Sequence, residues 1–160
     1  MSASLTAQLE HRHALLFLLS GGATLTVSFV SGGSRLSFTY RAEAFASREH
    51  GTKGQRHVAV YFTSYGQRSI FGIINPRRIR AKGRGYSFAR HAEVSEDHLA
   101  PEVFSRAWKS LCEGNALTGV ELTHPGRCGY CGRDLSVEET ALGLHPQCRE
   151  QLIIELKKDQ

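Results

Sequence analysis

Three cysteines near the end of the chain do most to limit what it can fold into. Cys128 and Cys131 form a C-x2-C pair, and Cys148 follows within VELTHPGRCGYCGRDLSVEETALGLHPQCREQL, residues 120–152. Gly129 and Gly132 follow the two paired cysteines directly. Such a turn aims two thiolates and several backbone N–H groups at one point, which is how a zinc knuckle is built. Cys148 falls just inside an expected helix, Pro146–Lys157. Free N–H groups and the helix dipole favour a thiolate there.

A tetrahedral site needs a fourth donor. His124 offers H-x3-C-x2-C-x16-C, and His145 offers C-x2-C-x13-H-x2-C. The second spacing places a knuckle ahead of a donor pair at a helix start, in the manner of a treble clef. Redox chemistry at Cys128–Cys131 is the competing reading of the pair. A thioredoxin-like site needs a strand before it and a long helix starting at it. Pro125-Gly126 and the later Cys148 suit a knuckle better. Cysteines clustered in a reducing compartment also read as metal ligands before disulfides. Cys112 stands apart, on an apolar helical stripe, and reads as a buried thiol.

Residues 124–150 resemble the cysteine-rich module of an uncharacterised family of small proteins from bacteriophages and actinobacterial genomes. Its pattern is roughly H-x3-C-x2-C-G-R-x-L-T-x-x-x-S-x-x-x-G-x-G-P-x-C. Here it is carried by His124, Cys128, Cys131, Gly132, Arg133, Leu135, Gly143, Pro146 and Cys148. Ser136 and Thr140 stand at the usual Thr and Ser positions, and His145 replaces the usual Gly before Pro146. The resemblance implies His124 as the inherited fourth ligand, with His145 the alternative. It brings no settled activity. It does imply a small phage-type protein that binds and redirects host machinery in the host cytoplasm.

Ahead of this module, residues 1–119 read as an α+β body. The apolar fraction of the 160 residues, 41%, suffices for a core. An amphipathic run at 5–20 predicts a helix ended by Gly21-Gly22. Period-two alternation then predicts strands at 24–31, 35–45, 57–63 and 69–74, about four in one antiparallel sheet. Gly32-Gly33 signals a tight hairpin, and 47–55 is a polar loop. Val103, Phe104, Ala107, Trp108 and Leu111 repeat at helical spacing, predicting a covering helix over 96–112. Leu135 is expected to pack the module against this body, and Arg133 to pair with Glu138 or Glu139 or stay exposed.

The formal charge of +5 is unevenly spread. Residues 1–90 carry 13 Lys/Arg against 3 Asp/Glu, and residues 91–160 carry 7 against 12. The densest basic run is NPRRIRAKGRGY, residues 75–86, with Arg77, Arg78, Arg80, Lys82 and Arg84. Read as a loop, it can lie along phosphates, and Tyr86 or Phe88 can stack on bases. The plainer reading is a solvated or partner-facing loop with ordinary packing aromatics.

Ala14–Ser20 is apolar but too short to span a bilayer. Glu10 lies among the basic residues a signal peptide would need there, so a cytoplasmic chain is expected. No G-x-G-x-x-G, Walker loop, H-E-x-x-H or G-x-S-x-G occurs. The deaminase pair H-x-E and P-C-x-x-C is also absent. The glycine-lysine pieces at Thr52–Gly54 and Lys82–Gly85 are too short to cradle phosphates. The sequence therefore predicts a non-enzymatic protein holding one structural zinc ion and binding a host protein. A DNA or RNA binder using the basic half is the alternative. A zinc-dependent hydrolase or nuclease accessory is more distant.

Overall fold

The computed structural model describes residues 6–46, 56–64, 67–76, 86–88, 99–115 and 117–158. In chain order they form β1 (Ala7–Gln8), α1 (His11–Leu19), β2 (Gly22–Ser31), β3 (Ser34–Ala46), β4 (Arg56–Ser64) and β5 (Gln67–Ile74). Then come β6 (Tyr86–Phe88), α2 (Leu99–Cys112), β7 (Val120–His124), a 3-10 turn (Val137–Glu139) and α3 (Pro146–Lys158). The architecture is α+β, with an antiparallel sheet ordered β1-β7-β2-β3-β4-β5-β6.

The four alternating segments become the central strands β2–β5. Gly32 and Gly33 both take positive φ, 60° and 81°, and Ser31 pairs with Ser34 across them. This is the two-residue turn whose twist matches a hairpin. Among the described residues the sheet has seven strands rather than about four. The three added strands, β1, β6 and β7, span only two, three and five residues. Runs that short carry no readable alternation. The first helix begins at His11 instead of residue 5, because Ala7 and Gln8 pair with His124 and Thr123. Leu9 N–H continues that pairing to the Leu122 carbonyl at 2.9 Å. The covering helix is described from Leu99; positions 96–98 of the expected span lie outside the described residues, as does the 47–55 loop.

Both α1 and α2 pack on one face of the sheet. Phe17 and Leu18 of α1 and Phe104 and Trp108 of α2 meet Leu25, Val27, Tyr40, Val60 and Leu122 in one buried core. Each large apolar side chain buried there stabilises by about 1.5–3 kcal/mol. Tyr40 Oη donates to the Ala100 carbonyl at 2.6 Å, pinning the start of α2 to β3. Cys112 packs against this core. Across β2 and β3 the opposite face carries polar pairs, as one-sided antiparallel sheets allow. Thr26 and Thr39 share a 2.8 Å hydrogen bond across β2 and β3, as do Ser28 and Ser37. Arg35 reaches Glu121 at 2.8 Å on the neighbouring strand.

The segment read as a separate module, residues 120–160, begins inside the sheet: β7 pairs with β2 from Thr26 to Phe29. Beyond β7 the chain builds a second, smaller core. Cys128, Leu144 and Leu152 are buried there, with Tyr130, Leu135, Cys148 and Leu156 around them and Leu16 of α1 reaching in. Leu135 packs into this cluster, and Arg133 is exposed. Among the described residues no helix is long and apolar enough to cross a membrane.

Candidate metal centre

After β7 the chain turns at Pro125-Gly126 and closes a tight loop. Cys128 N–H donates to the Arg133 carbonyl and Gly132 N–H to the Cys128 carbonyl, each at 2.9 Å. Arg127 and Asp134 form an isolated antiparallel bridge just outside this loop. This loop carries both cysteines of the C-x2-C pair. From it the chain runs through the 3-10 turn, whose Ser136 and Glu139 form a reciprocal capping box. It returns at His145 and enters α3, with Cys148 in the first turn.

Four donor atoms converge at the mouth of this loop. The ligating atoms of Cys128, Cys131, His145 and Cys148 all lie within 4.8 Å of one another. Tetrahedral zinc with Zn–S bonds of about 2.3 Å would place its donors about 3.7 Å apart, so the cluster fits with small adjustment. Cys128 is buried, Cys148 is half-buried and Cys131 is exposed. A surface concavity beside them is lined by Cys131, Arg133, Glu139, His145, Gln147 and Cys148.

The fourth member of the cluster is His145, the alternative ligand; His124, expected first, lies outside it. His145 Nδ1 lies 3.3 Å from Cys131 Sγ, and its Nε2 lies 3.1 Å from the Asp134 carbonyl. A proton on Nε2 satisfies that carbonyl and leaves the Nδ1 lone pair facing the thiols. Ligating histidines are oriented by such an outer partner. His124 is at the end of β7, only 2% exposed, with both nitrogens engaged elsewhere. Its Nδ1 accepts Gly126 N–H at 3.0 Å, and Nε2 bonds the Thr140 carbonyl at 2.6 Å. Its ring also stands 5.3 Å from that of Phe17. His124 is thus a strut between the two sides of the loop. Cys112, expected as a buried thiol, is half-buried against the main core and is not part of the cluster.

The electrostatics suit a cation. Burial pushes the Cys128 thiol up, but N–H groups of Cys131, His145 and Tyr130 outweigh it and bring its pKa down to about 7. Cys148 is pushed up to about 12, by burial first and then by its neighbours Cys128 and Cys131. Three sulfurs this close cannot all carry charge unaided. Burial lowers the His145 pKa, but the Cys131 and Cys128 sulfurs and the Asp134 carbonyl raise it further than burial lowers it. His124 shifts the other way: burial lowers its pKa against the pull of Thr140. A divalent ion would relieve the crowding by stabilising all the thiolates together.

The residues considered for nucleic acid fare differently. Arg77, Arg78, Arg80, Lys82 and Arg84 lie outside the described residues. Tyr86, read as part of a loop, lies on β6 with its backbone opposite Ile74. Sequence reasoning also missed Tyr130, between the paired cysteines, whose hydroxyl donates to Glu155 of α3 at 2.6 Å. An aromatic inside a C-x2-C pair was the available signal. Compared with family models, curated proteins and solved structures, the chain matches none.

Proposed function

We propose that this chain is a non-catalytic binding protein whose last third is organised by one structural zinc ion. Cys128, Cys131, His145 and Cys148 would hold the ion in a treble-clef-like setting of knuckle, turn and helix start. The donor set carries the reading. Three thiolates and an imidazole fill the four tetrahedral positions, whereas a catalytic zinc keeps one for water or substrate. Thiolate-rich sites favour zinc over hard cations. In the same proposal the partner is a host protein, consistent with the phage-type resemblance of residues 124–150.

The uneven charge favours a second reading. A net excess of ten positive charges within residues 1–90 suits a polyanion, so DNA or RNA is the alternative partner.

The test has two arms. Native mass spectrometry and elemental analysis of purified protein should find one zinc per chain, lost in Cys128→Ser and Cys148→Ser. Well-folded wild-type protein without metal would sink the first half of the proposal. Tagged protein is then drawn through bacterial lysate with and without nuclease. A specific protein retained after nuclease supports the host-protein reading. Captured nucleic acid, with all accompanying proteins lost on nuclease treatment, replaces it with the polyanion reading.

A further inference from the structure

The metal centre is tied to the sheet by three side chains from three separate elements. Tyr130, between the knuckle cysteines, donates its hydroxyl to Glu155 Oε1 at 2.6 Å. Glu155 belongs to α3, the helix that carries Cys148 in its first turn. Its other oxygen accepts from Arg56 Nη1, on β4, at 3.2 Å. The far side of that guanidinium donates through Nη2 to the Leu19 and Ser20 carbonyls, at 3.1 and 2.8 Å. These carbonyls end α1, where helix carbonyls lack intrahelical donors and a cation is favoured. Arg56 suits this position because its planar fork serves a carboxylate and two carbonyls at once, which a lysine ammonium does poorly.

We propose that Arg56, Glu155 and Tyr130 are positioning residues for the metal centre, and that they couple its occupancy to the order of α1 and β4. The inference rests on the metal reading above. An ion bound to Cys128, Cys131 and Cys148 fixes the knuckle against the first turn of α3. That fixes the Tyr130 hydroxyl against Glu155, and Glu155 then holds Arg56 across the end of α1. Coupling of this kind is reciprocal: what loosens Arg56 or Tyr130 must weaken the metal, and losing the metal must loosen the end of α1. A tie that only added stability would act equally with and without the ion.

The experiment uses the full chain. Zinc affinity is measured by competition with a chromophoric chelator for wild type, Tyr130→Phe, Glu155→Gln and Arg56→Lys. Cobalt(II) absorption reports the ligand set, and amide exchange reports β4 and the end of α1 with and without zinc. Tyr130→Phe and Glu155→Gln should each weaken zinc about threefold, less than the loss of a group bonded directly to a ligand, with the cobalt spectrum unchanged. Tyr130→Phe combined with Arg56→Lys should cost less than the product of the single losses, because both act along one path. Zinc should slow exchange at Leu19, Ser20 and the start of β4 in wild type, and less so in Arg56→Lys. Tyr130→Phe removes one hydroxyl, so it remains informative if a charge-changing variant fails to fold. A wild type that takes up no stoichiometric metal overturns the metal reading itself. A wild type that binds zinc, with unchanged affinity in Tyr130→Phe and exchange at α1 and β4 indifferent to metal, overturns this inference alone.

Discussion

His124 and His145 differ in what their ring nitrogens face. One nitrogen of His145 faces the thiols and the other a carbonyl; both nitrogens of His124 are engaged by its own loop. The two residues therefore fail differently. His145→Ala should weaken zinc by more than the roughly 10–100-fold of an outer-shell loss, and shift the cobalt(II) spectrum as water replaces imidazole. His124→Gln should keep the Cys3His spectrum. It should lower stability by about 1–3 kcal/mol, since it leaves Gly126 N–H or the Thr140 carbonyl poorly paired. Chelator competition and denaturant midpoints separate the two outcomes. A cobalt spectrum altered by His124→Gln and unaltered by His145→Ala would reverse the assignment. The three cysteines were legible from spacing alone, because ligand spacing is a local property. The choice of histidine was not, because both spacings can reach the three cysteines. What separates them is that His124 ends a strand paired to β1 and β2, a non-local fact.

The elements show the same division. The hairpin of β2 and β3 and the apolar stripe of α2 were readable, because each repeats its period over several residues. β1 and β7 were not, since each exists only because the other strands offer it an edge. Their pairing brings the knuckle against the end of α1, where contact is too close for side chains. A Cβ on Gly129 would run into Ser20 Oγ, and would lie 3.1 Å from the Phe17 ring. Ser20 is itself fixed, donating to the Phe17 carbonyl at 2.5 Å. Gly129→Ala should accordingly lower the denaturant midpoint of zinc-loaded protein by the equivalent of about 1–3 kcal/mol, as overpacking does. The ligand set is untouched, so zinc stoichiometry should stay at one. A midpoint equal to wild type would mean that the knuckle does not press on α1.

At the scale of the whole molecule, the small core joins the large one through Leu16, His124 and the Arg56–Glu155 pair. Metal occupancy should therefore govern the stability of the sheet as well as that of the last third, and pH should govern occupancy. The sign is set by the protons that the ion displaces. Cys148, with its pKa near 12, must release a proton on binding throughout the neutral range. Cys128, near 7, adds a second release only as pH falls through that value, and the raised pKa of His145 acts the same way. Each displaced proton costs about a tenfold loss of affinity per pH unit. Zinc affinity should then rise about tenfold or more per pH unit above pH 7 and more steeply below it. His124 works in the same direction. Its folded-state pKa lies below the ordinary 6.5, so its contribution is complete above that value and is lost as pH falls toward the folded pKa. Chelator competition between pH 6 and 8, with thermal melts on the same samples, measures both curves. The melting temperature of zinc-loaded protein should fall with affinity as acid is added, and in one transition, because the two cores share struts. Affinity flat across this range would remove the thiols from the coordination sphere. Two separated transitions would show that the small core lets go of the sheet when the metal leaves.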